Sequence, residues 1–352
     1  MSKERGWAAV NLKMTDRVAR VEFDADRHWE LVNAVTGSSV TPESPDAERA
    51  KASRVFRKAW NYDFTPGSML HVNELEKCRT NMGHAVYEAG AVDFKPQLTE
   101  AFTDPDVALR FDPWETFGAK DHKTLVARFN EHYRQTCEDN PDTVCTTGTY
   151  ITLLTGYIYI FGWEMLLTVA GQDAHGFGEL LNRYRTWMQQ YYNALAECDA
   201  PIIASHDDIV WTEGAIFPPE FYRKYIFPNL RELYAPLVAA GKKVLFLSDG
   251  NYTEFIDDIA GTGASGFFME PLTDMRQVAE RHGKTHFFIG NADTRVLLRG
   301  HRAEIRAEVQ RCMDIGKRYP GFFMGVTNMI PYNTPVDAAL YYNQCVEEMS
   351  RR

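Results

Sequence analysis

From about residue 140 onward, short apolar runs alternate with longer segments of helical pattern, and this alternation constrains the fold more than any other feature. It predicts a parallel sheet covered by helices. The apolar runs are unbroken stretches rich in Val, Ile, Leu and Phe, which indicates strands buried on both faces. The predicted strands are 143–147, 201–205, 243–247, 266–269, 285–289 and 321–325, and the predicted helices are 176–198, 219–240, 252–260, 275–282, 303–317 and 335–349.

Repeated units of this kind favour an α/β fold of the (β/α)8 TIM-barrel type over an open, doubly wound sheet. The chain has 352 residues, enough for one barrel or for two ordinary domains. No glycine-rich phosphate-binding motif follows a predicted strand and opens a helix, as such motifs do in many open sheets. We therefore expect a barrel over residues 76–352. Residues 1–75 form an N-terminal helical extension packed on it, irregular apart from an amphipathic helix that begins at Asp46.

Charge and cysteine content exclude several classes of protein. The formal net charge is -10 and no basic run occurs, which disfavours binding to nucleic acid or to anionic membranes. Six scattered cysteines without a C-x-x-C pair disfavour a zinc ribbon or a disulfide scaffold. No apolar signal segment is recognised at the N-terminus, so a signal peptide is not expected. The uncharged residues 146–163 include glycines and are interpreted as buried strand and loop. A cytoplasmic location is expected, and a homodimer is compatible with the sequence.

Polar residues gather just after the predicted strands, where the catalytic residues of a parallel barrel lie. Such residues follow five strands, whereas the opposite strand ends carry mostly Lys, Gly and Ala. This one-sided accumulation is the strongest functional signal in the sequence. The residues are His206, Asp207 and Asp208; Ser248, Asp249 and Asn251; Glu270; Asn291 and Asp293; and Thr327 and Asn328.

Three of these residues are the candidate catalytic groups. Glu270 follows four apolar residues, and a carboxylate there needs a partner, a metal or a substrate. His206 is either an acid/base group or metal ligand, or a structural histidine satisfied by its neighbours. Asp249 precedes a glycine, so a turn role is the alternative for it. Together His206, Asp249 and Glu270 offer nitrogen and oxygen ligands that suit zinc or a harder divalent ion.

Five further residues are candidates for contact with a substrate. Two of them belong to the N-terminal half, where aromatic side chains are more often core than pocket. Those that line the mouth of the barrel would hold a flat ligand by stacking. The candidate substrate-binding residues are Asp208, Asn291, Asn328, His84 and Trp163.

The C-terminal half resembles the uroporphyrinogen decarboxylase superfamily, whose fold is a single-domain TIM barrel. Order and spacing agree over about residues 140–350, and more loosely over the whole chain. The segments that carry the resemblance are HDDIVWTEGAIFPPEFYRKYIFPNLREL (206–233), GKKVLFLSDGNYTEFIDDIAGTG (241–263), GFFMEPLTDM (266–275), FFIGNADTRVLLRG (287–300) and MIPYNTPVDAALYYNQ (329–344).

This resemblance implies one of two chemistries: decarboxylation of uroporphyrinogen without a cofactor, or methyl transfer with a corrinoid protein. The thiol-methylating branch holds zinc with a His-x-Cys and a later Cys. Here the corresponding stretches are 247–249 and 327–329, which lack both Cys and His. The decarboxylase branch has an arginine-rich motif near its N-terminus, and residues 1–75 contain none like it.

The resemblance therefore points to the methyltransferase-like branch that takes part in corrinoid-dependent demethylation. It implies a small O- or N-methylated donor, such as a methoxylated aromatic or a methylamine, and a separate corrinoid protein as acceptor. Two alternatives stay open. One is a decarboxylase or lyase acting on another carboxylated substrate, favoured if arginines such as Arg183, Arg223 and Arg295 line the mouth. The other is a barrel that binds a tetrapyrrole or corrinoid without turnover.

Overall fold

In the computed structural model, the described residues are 2–76, 78–80, 86–88, 91–93 and 102–352, and strands and helices alternate along most of the chain. The strands are β1 (Ala19–Arg20), β2 (Phe64–Thr65), β3 (Val86–Glu88), β4 (Ala91–Asp93), β5 (Val144–Cys145), β6 (Thr147–Thr149), β7 (Ile202–His206), β8 (Val210–Trp211), β9 (Gly214–Ala215), β10 (Lys243–Ser248), β11 (Gly266–Met269), β12 (Phe287–Asp293) and β13 (Phe322–Thr327). The helices are α1 (Ser2–Val10), α2 (Trp29–Thr36), α3 (Asp46–Ala59), α4 (Pro105–Leu109), α5 (Pro113–Phe117), α6 (His122–Asp139), α7 (Leu154–Gln172), α8 (Ala174–Glu197), α9 (Pro219–Phe221), α10 (Phe227–Ala239), α11 (Ile256–Ala260), α12 (Met275–His282), α13 (Thr294–Arg299), α14 (Arg302–Gly316) and α15 (Val336–Met349).

The main sheet is parallel and runs in the order β1-β13-β12-β11-β10-β7-β6. The last long strand therefore pairs with the first, as a barrel requires. Strand β2 pairs in parallel with β5, which directly precedes β6. The Asp63 amide donates to the Arg20 carbonyl at 2.9 Å, and the Val144 amide donates to the Asp63 carbonyl at 3.0 Å. The predicted α/β fold with a parallel sheet is thus confirmed.

The sheet is buried on both faces, as the unbroken apolar runs predicted. One set of strand residues forms an inner cluster, and the others pack outward against the helices in a second, larger cluster. A strand places successive side chains on opposite faces, so β7, β10, β11, β12 and β13 each supply residues to both clusters. The inner cluster consists of Ala9, Val10, Ala19, Val21, Phe64, Val144, Ile202, Ala204, Leu245, Leu247, Phe268, Phe287, Ile289 and Phe323.

Two details of the sequence interpretation were wrong. The uncharged stretch 146–163 was interpreted as strand and loop, but α7 begins at Leu154 and carries most of it. Residues 154–163 carry no charge and are all buried except Trp163, and hydrophobic periodicity cannot separate such a buried helix from a buried strand. Residues 1–75 are more regular than expected, because they contain α1 and α2 as well as α3. They also supply β1 to the main sheet, while the boundary at residue 75 stays a prediction.

A membrane-spanning helix was not expected, and none of the helices in the described ranges is both long and apolar enough to cross a bilayer.

Gly148 allows β6 and β7 to approach closely, and this contact gives a test of the fold. A Cβ atom at Gly148 would lie 1.8 Å from the Ala204 carbonyl oxygen, which belongs to the backbone of the paired strand. We expect Gly148→Ala to lower the free energy of unfolding by about 3 kcal/mol, because the strands must separate. Urea unfolding followed by circular dichroism measures this change.

The matched control is Gly171→Ala, near the end of α7, where a Cβ atom meets nothing within 4 Å. Alanine there should raise stability by about 0.5 kcal/mol through its lower unfolded-state entropy. Equal effects of the two substitutions would contradict the close strand contact.

Candidate active site

Two neighbouring strands end in residues that form a compact polar cluster. Strand β7 ends at His206, and Asp208 follows it; Asp249 follows the end of β10. The His206 Nε2 atom lies 3.2 Å from Asp208 Oδ1, and the Asp249 amide donates to the same oxygen at 2.9 Å. Ligand atoms of the three residues all lie within 4.8 Å of one another. The structure thus brings together three of the residues that the strand-end pattern singled out.

The orientation of the His206 ring is fixed by the backbone. Its Nδ1 atom lies 3.1 Å from the Tyr150 carbonyl oxygen, which can only accept a hydrogen bond. Nδ1 therefore carries the proton, and Nε2 faces the carboxylates. Burial alone would lower the pKa of His206, but the charges of Asp208 and Asp249 outweigh it and the pKa is raised.

Glu270 follows β11 and is held by two hydrogen bonds. The Gly250 amide donates to its Oε2 at 2.6 Å, and Asn328 Nδ2 donates to its Oε1 at 2.7 Å. Asn328 adopts a left-handed backbone conformation (φ 76°), which asparagine tolerates better than most residues. Burial first, and the charge of Asp249 second, raise the pKa of Glu270 to about 7, although both hydrogen bonds act in the opposite direction. Glu270 is therefore a carboxyl group that can hold a proton near neutral pH.

The other predicted substrate-binding residues are placed differently. The Asn291 side chain is fully buried: its Nδ2 donates to the carbonyl oxygens of Glu270 and Thr273, and its Oδ1 accepts from Arg311. Asn291 thus holds the strand end that carries Glu270. Trp163 stacks on Trp211 with ring centroids 5.9 Å apart.

His84 lies outside the described residues. The assignment of catalytic and substrate-binding roles to these side chains stays a prediction.

A cavity of about 380 Å³ opens beside the cluster, and we call it the mouth cavity. Its walls include His206, Asp249 and Asn328 together with several aromatic side chains. Three rings stack in series across it: His71 on Tyr150, then Tyr150 on His206, each with centroids 4.2 Å apart. Sequence reasoning did not assign the other lining residues to the site. Most of them come from loops whose path the strand pattern does not give, and three are strand residues, Ala204, Leu247 and Phe268, whose inward direction it does not give. The other lining residues are Phe23, Asp24, Pro66, Gly67, Ser68, His71, Tyr150, Ala204, Leu247, Phe268 and Met329.

The cluster fits a divalent metal ion in its choice of donors. One imidazole nitrogen and two carboxylates form a set that suits zinc or a harder divalent ion. The hydrogen bond from His206 Nδ1–H to the Tyr150 carbonyl orients Nε2 in the way metal-binding histidines usually need. The group of close ligand atoms is His206, Asp208 and Asp249. Glu270, predicted as a ligand, is not in that group, and Asp208 takes its place.

Residues 110–349 match the family model described as "Uroporphyrinogen decarboxylase (URO-D)". The chain belongs to the URO-D family. The match covers more than half of the sequence and includes the strand ends that carry His206, Asp249 and Glu270. It confirms the resemblance inferred from the strand-end segments.

Two relatives in this family are similar to part of the chain. The uroporphyrinogen decarboxylase of Pelobacter propionicus is 26% identical over 175 residues, 50% of this chain and 50% of that protein. The uroporphyrinogen decarboxylase of Thermus thermophilus (strain ATCC BAA-163) is 26% identical over 171 residues, 49% of this chain and 48% of that protein. The chain therefore aligns with about half the length of the curated relatives it matches.

Among solved structures, a methyltransferase from Methanosarcina mazei shares the fold. The TM-score is 0.63, and the superposition covers 99% of this chain and 98% of that chain at 16% sequence identity. This likeness supports the same architecture for the described part of the chain, on both sides of residue 75.

The electrostatic coupling within the site can be tested in the metal-free chain. Because the charge of Asp249 helps to raise the pKa of Glu270, Asp249→Asn should lower that pKa from about 7 toward 4.5. Carbon-13 NMR of protein labelled at the glutamate side-chain carboxyl carbon follows the titration. Asp257→Asn, an exposed aspartate outside this site, serves as the control. An unchanged Glu270 titration in Asp249→Asn would contradict the coupling.

Metal binding by the cluster has its own test. We expect isothermal titration of the full chain with Co²⁺ or Zn²⁺ to show one site, and His206→Ala to weaken it at least about tenfold. The control is His122→Ala, since His122 pairs with Glu197 at the surface away from the cluster. Equal affinities in the two variants would show that the metal binds elsewhere.

Proposed function

We propose that this protein transfers a methyl group from a small O- or N-methylated donor to the cobalt of a separate corrinoid protein. The observation that carries the proposal is the protonatable Glu270 beside the polar cluster at the strand ends. A methyl group leaves oxygen or nitrogen more easily when the leaving atom receives a proton as the bond breaks. Glu270 would supply that proton, and the acceptor cobalt in its reduced Co(I) state would supply the electron pair for the new bond.

His206, Asp208 and Asp249 would act on the leaving group in one of two ways. They would hold a divalent ion, which supplies Lewis acidity at the leaving oxygen or nitrogen. Without a metal, a protonated His206 between two carboxylates would be a second proton donor. In both cases the Tyr150 carbonyl keeps the ring oriented.

The mouth cavity supports a donor that is partly aromatic or apolar. Phe23 and Phe268 offer ring surface against which such a donor would pack, whereas His71 and His206 cover the two faces of Tyr150. Among the described residues that line it, no arginine or lysine is found. A substrate with several carboxylates would need such cations.

A decarboxylase or lyase acting on a carboxylated substrate is the second candidate, and the similarity to two uroporphyrinogen decarboxylases favours it. The arginines considered for this function make contacts elsewhere. Arg183 donates to the Leu109 carbonyl, Arg223 pairs with Asp258, and Arg295 pairs with Asp293. We therefore rank this candidate below methyl transfer.

The role of Glu270 predicts a pH dependence for methyl transfer in the metal-free chain. The pKa of Glu270 is raised to about 7, so the proton-donating form dominates below pH 7 and is lost as the pH rises through 7. The turnover rate should therefore fall on the alkaline side of about pH 7. The measurement is the absorbance change of a Co(I) corrinoid protein incubated with the chain and a panel of methyl donors.

Glu270→Gln should lower turnover at least about 100-fold, because an amide cannot supply the proton. The matched control is Glu280→Gln, an exposed glutamate on α12. Circular dichroism checks that both variants fold. Retained turnover in Glu270→Gln, or an alkaline limb that persists there unchanged, would overturn the assignment of the acid.

A further inference from the structure

A second cavity, larger than the mouth cavity, is lined by helix α3 and by the residues that follow β1. Its volume is about 570 Å³, within the usual range for small-molecule sites. We call it the α3 cavity. Arg49, Ser53 and Arg57 line it from successive turns of one face of α3, and Asp24 and Asp26 line it from the segment after β1. No step of the proposed methyl transfer uses these residues.

Two residues that line the α3 cavity carry buried polar atoms without a partner. Tyr62 is 3% exposed and Asn140 is 8% exposed. Neither the Tyr62 hydroxyl nor Asn140 Oδ1 has a hydrogen-bond partner within the described part of the chain. Buried polar groups are almost always satisfied, so two such atoms in the lining of one cavity point to a missing polar occupant.

The charges around the α3 cavity are balanced. Five carboxylates line it, and each one is paired with an arginine, either in the lining or just behind it. A charged ligand finds no uncompensated opposite charge among these five pairs, whereas a neutral ligand needs none. The pairs are Arg57–Asp26, Arg49–Asp46, Arg27–Asp24, Arg20–Glu22 and Arg54–Asp139.

We propose that the α3 cavity binds a neutral, polyhydroxylated small molecule. A hydroxyl group both donates and accepts, so neighbouring hydroxyls can bridge a carboxylate and a guanidinium at the same time. The same groups would supply an acceptor to the Tyr62 hydroxyl and a donor to Asn140 Oδ1, directly or through an ordered water. The half-buried ring of Trp29, also in the lining, offers an apolar face to the carbon skeleton of such a ligand.

The α3 cavity adjoins the mouth cavity. Phe23, Asp24 and Pro66 line both of them, so an occupant of the α3 cavity lies directly behind one wall of the candidate active site. Binding there does not depend on the proposed methyl transfer, and it can be measured without any corrinoid protein.

The test is saturation-transfer NMR of the full chain with myo-inositol, D-glucose and glycerol as probes. Two compounds serve as controls. Cyclohexanol has a six-membered ring but only one hydroxyl group, and glycine betaine is a zwitterion with one positive and one negative charge. We expect saturation transfer to at least one polyol and none to either control at the same concentration. If only water occupies the α3 cavity, no polyol will receive saturation transfer from the protein, and this result would overturn the proposal.

Two variants locate the binding. Tyr62→Phe removes only the hydroxyl without a partner, so the thermal unfolding midpoint should stay the same or rise while polyol affinity falls about fivefold. Arg49→Ala should weaken binding by a similar factor, because Arg49 faces the cavity and its pair with exposed Asp46 contributes little to stability. Lys58→Ala, an exposed lysine of α3 outside the lining, should bind as the unmodified chain does. If neither Tyr62→Phe nor Arg49→Ala lowers the affinity for the polyol, the ligand binds elsewhere and the proposal is refuted.

Discussion

Burial of the parallel strands on both faces is the constraint on which the rest of this structure depends. Helices cover the outer face of the sheet, and the inner cluster fills its interior, so little of any long strand meets solvent. The imidazole and carboxylates of the candidate site therefore stand where the strands end. His206, Asp249 and Glu270 come from three adjacent strands, and the spacing between strands sets the distances between their side chains.

These short distances give the site its electrostatic character. Asp208, Asp249 and Glu270 share one partly buried region, and carboxylates this close do not all ionise easily. Burial first, and the charge of Asp249 second, raise the pKa of Glu270, and the charges of Asp208 and Asp249 raise that of His206 against the effect of its burial. One proton-holding carboxyl group thus lies beside a ligand set for a cation. A bound divalent ion and a proton on Glu270 are two ways of relieving the same repulsion.

The sequence was sufficient to predict the fold class and most strands and helices after residue 140, because buried strands and amphipathic helices have clear hydrophobic patterns. It was also sufficient to name Asp208, Asp249 and His206, since the ends of parallel strands meet at one edge. It could not show that Asp208 rather than Glu270 joins the compact ligand group, because that depends on side-chain rotamers. The stack of His71 and Tyr150 and the α3 cavity depend on loop paths and helix packing, which strand and helix periodicity do not encode.

Methyl transfer, the function proposed for the strand-end site, and release of carbon dioxide leave the carbon atoms of the substrate in different products. The most direct measurement follows carbon-13 from a panel of methylated donors, each labelled on the methyl group and, where present, on the carboxyl group. The chain is incubated with each donor and a Co(I) corrinoid protein. Our account predicts that methyl carbon-13 appears on cobalt and that the carboxyl label stays in the demethylated product. Labelled carbon dioxide with no label on cobalt, or no transfer from any donor, would contradict it.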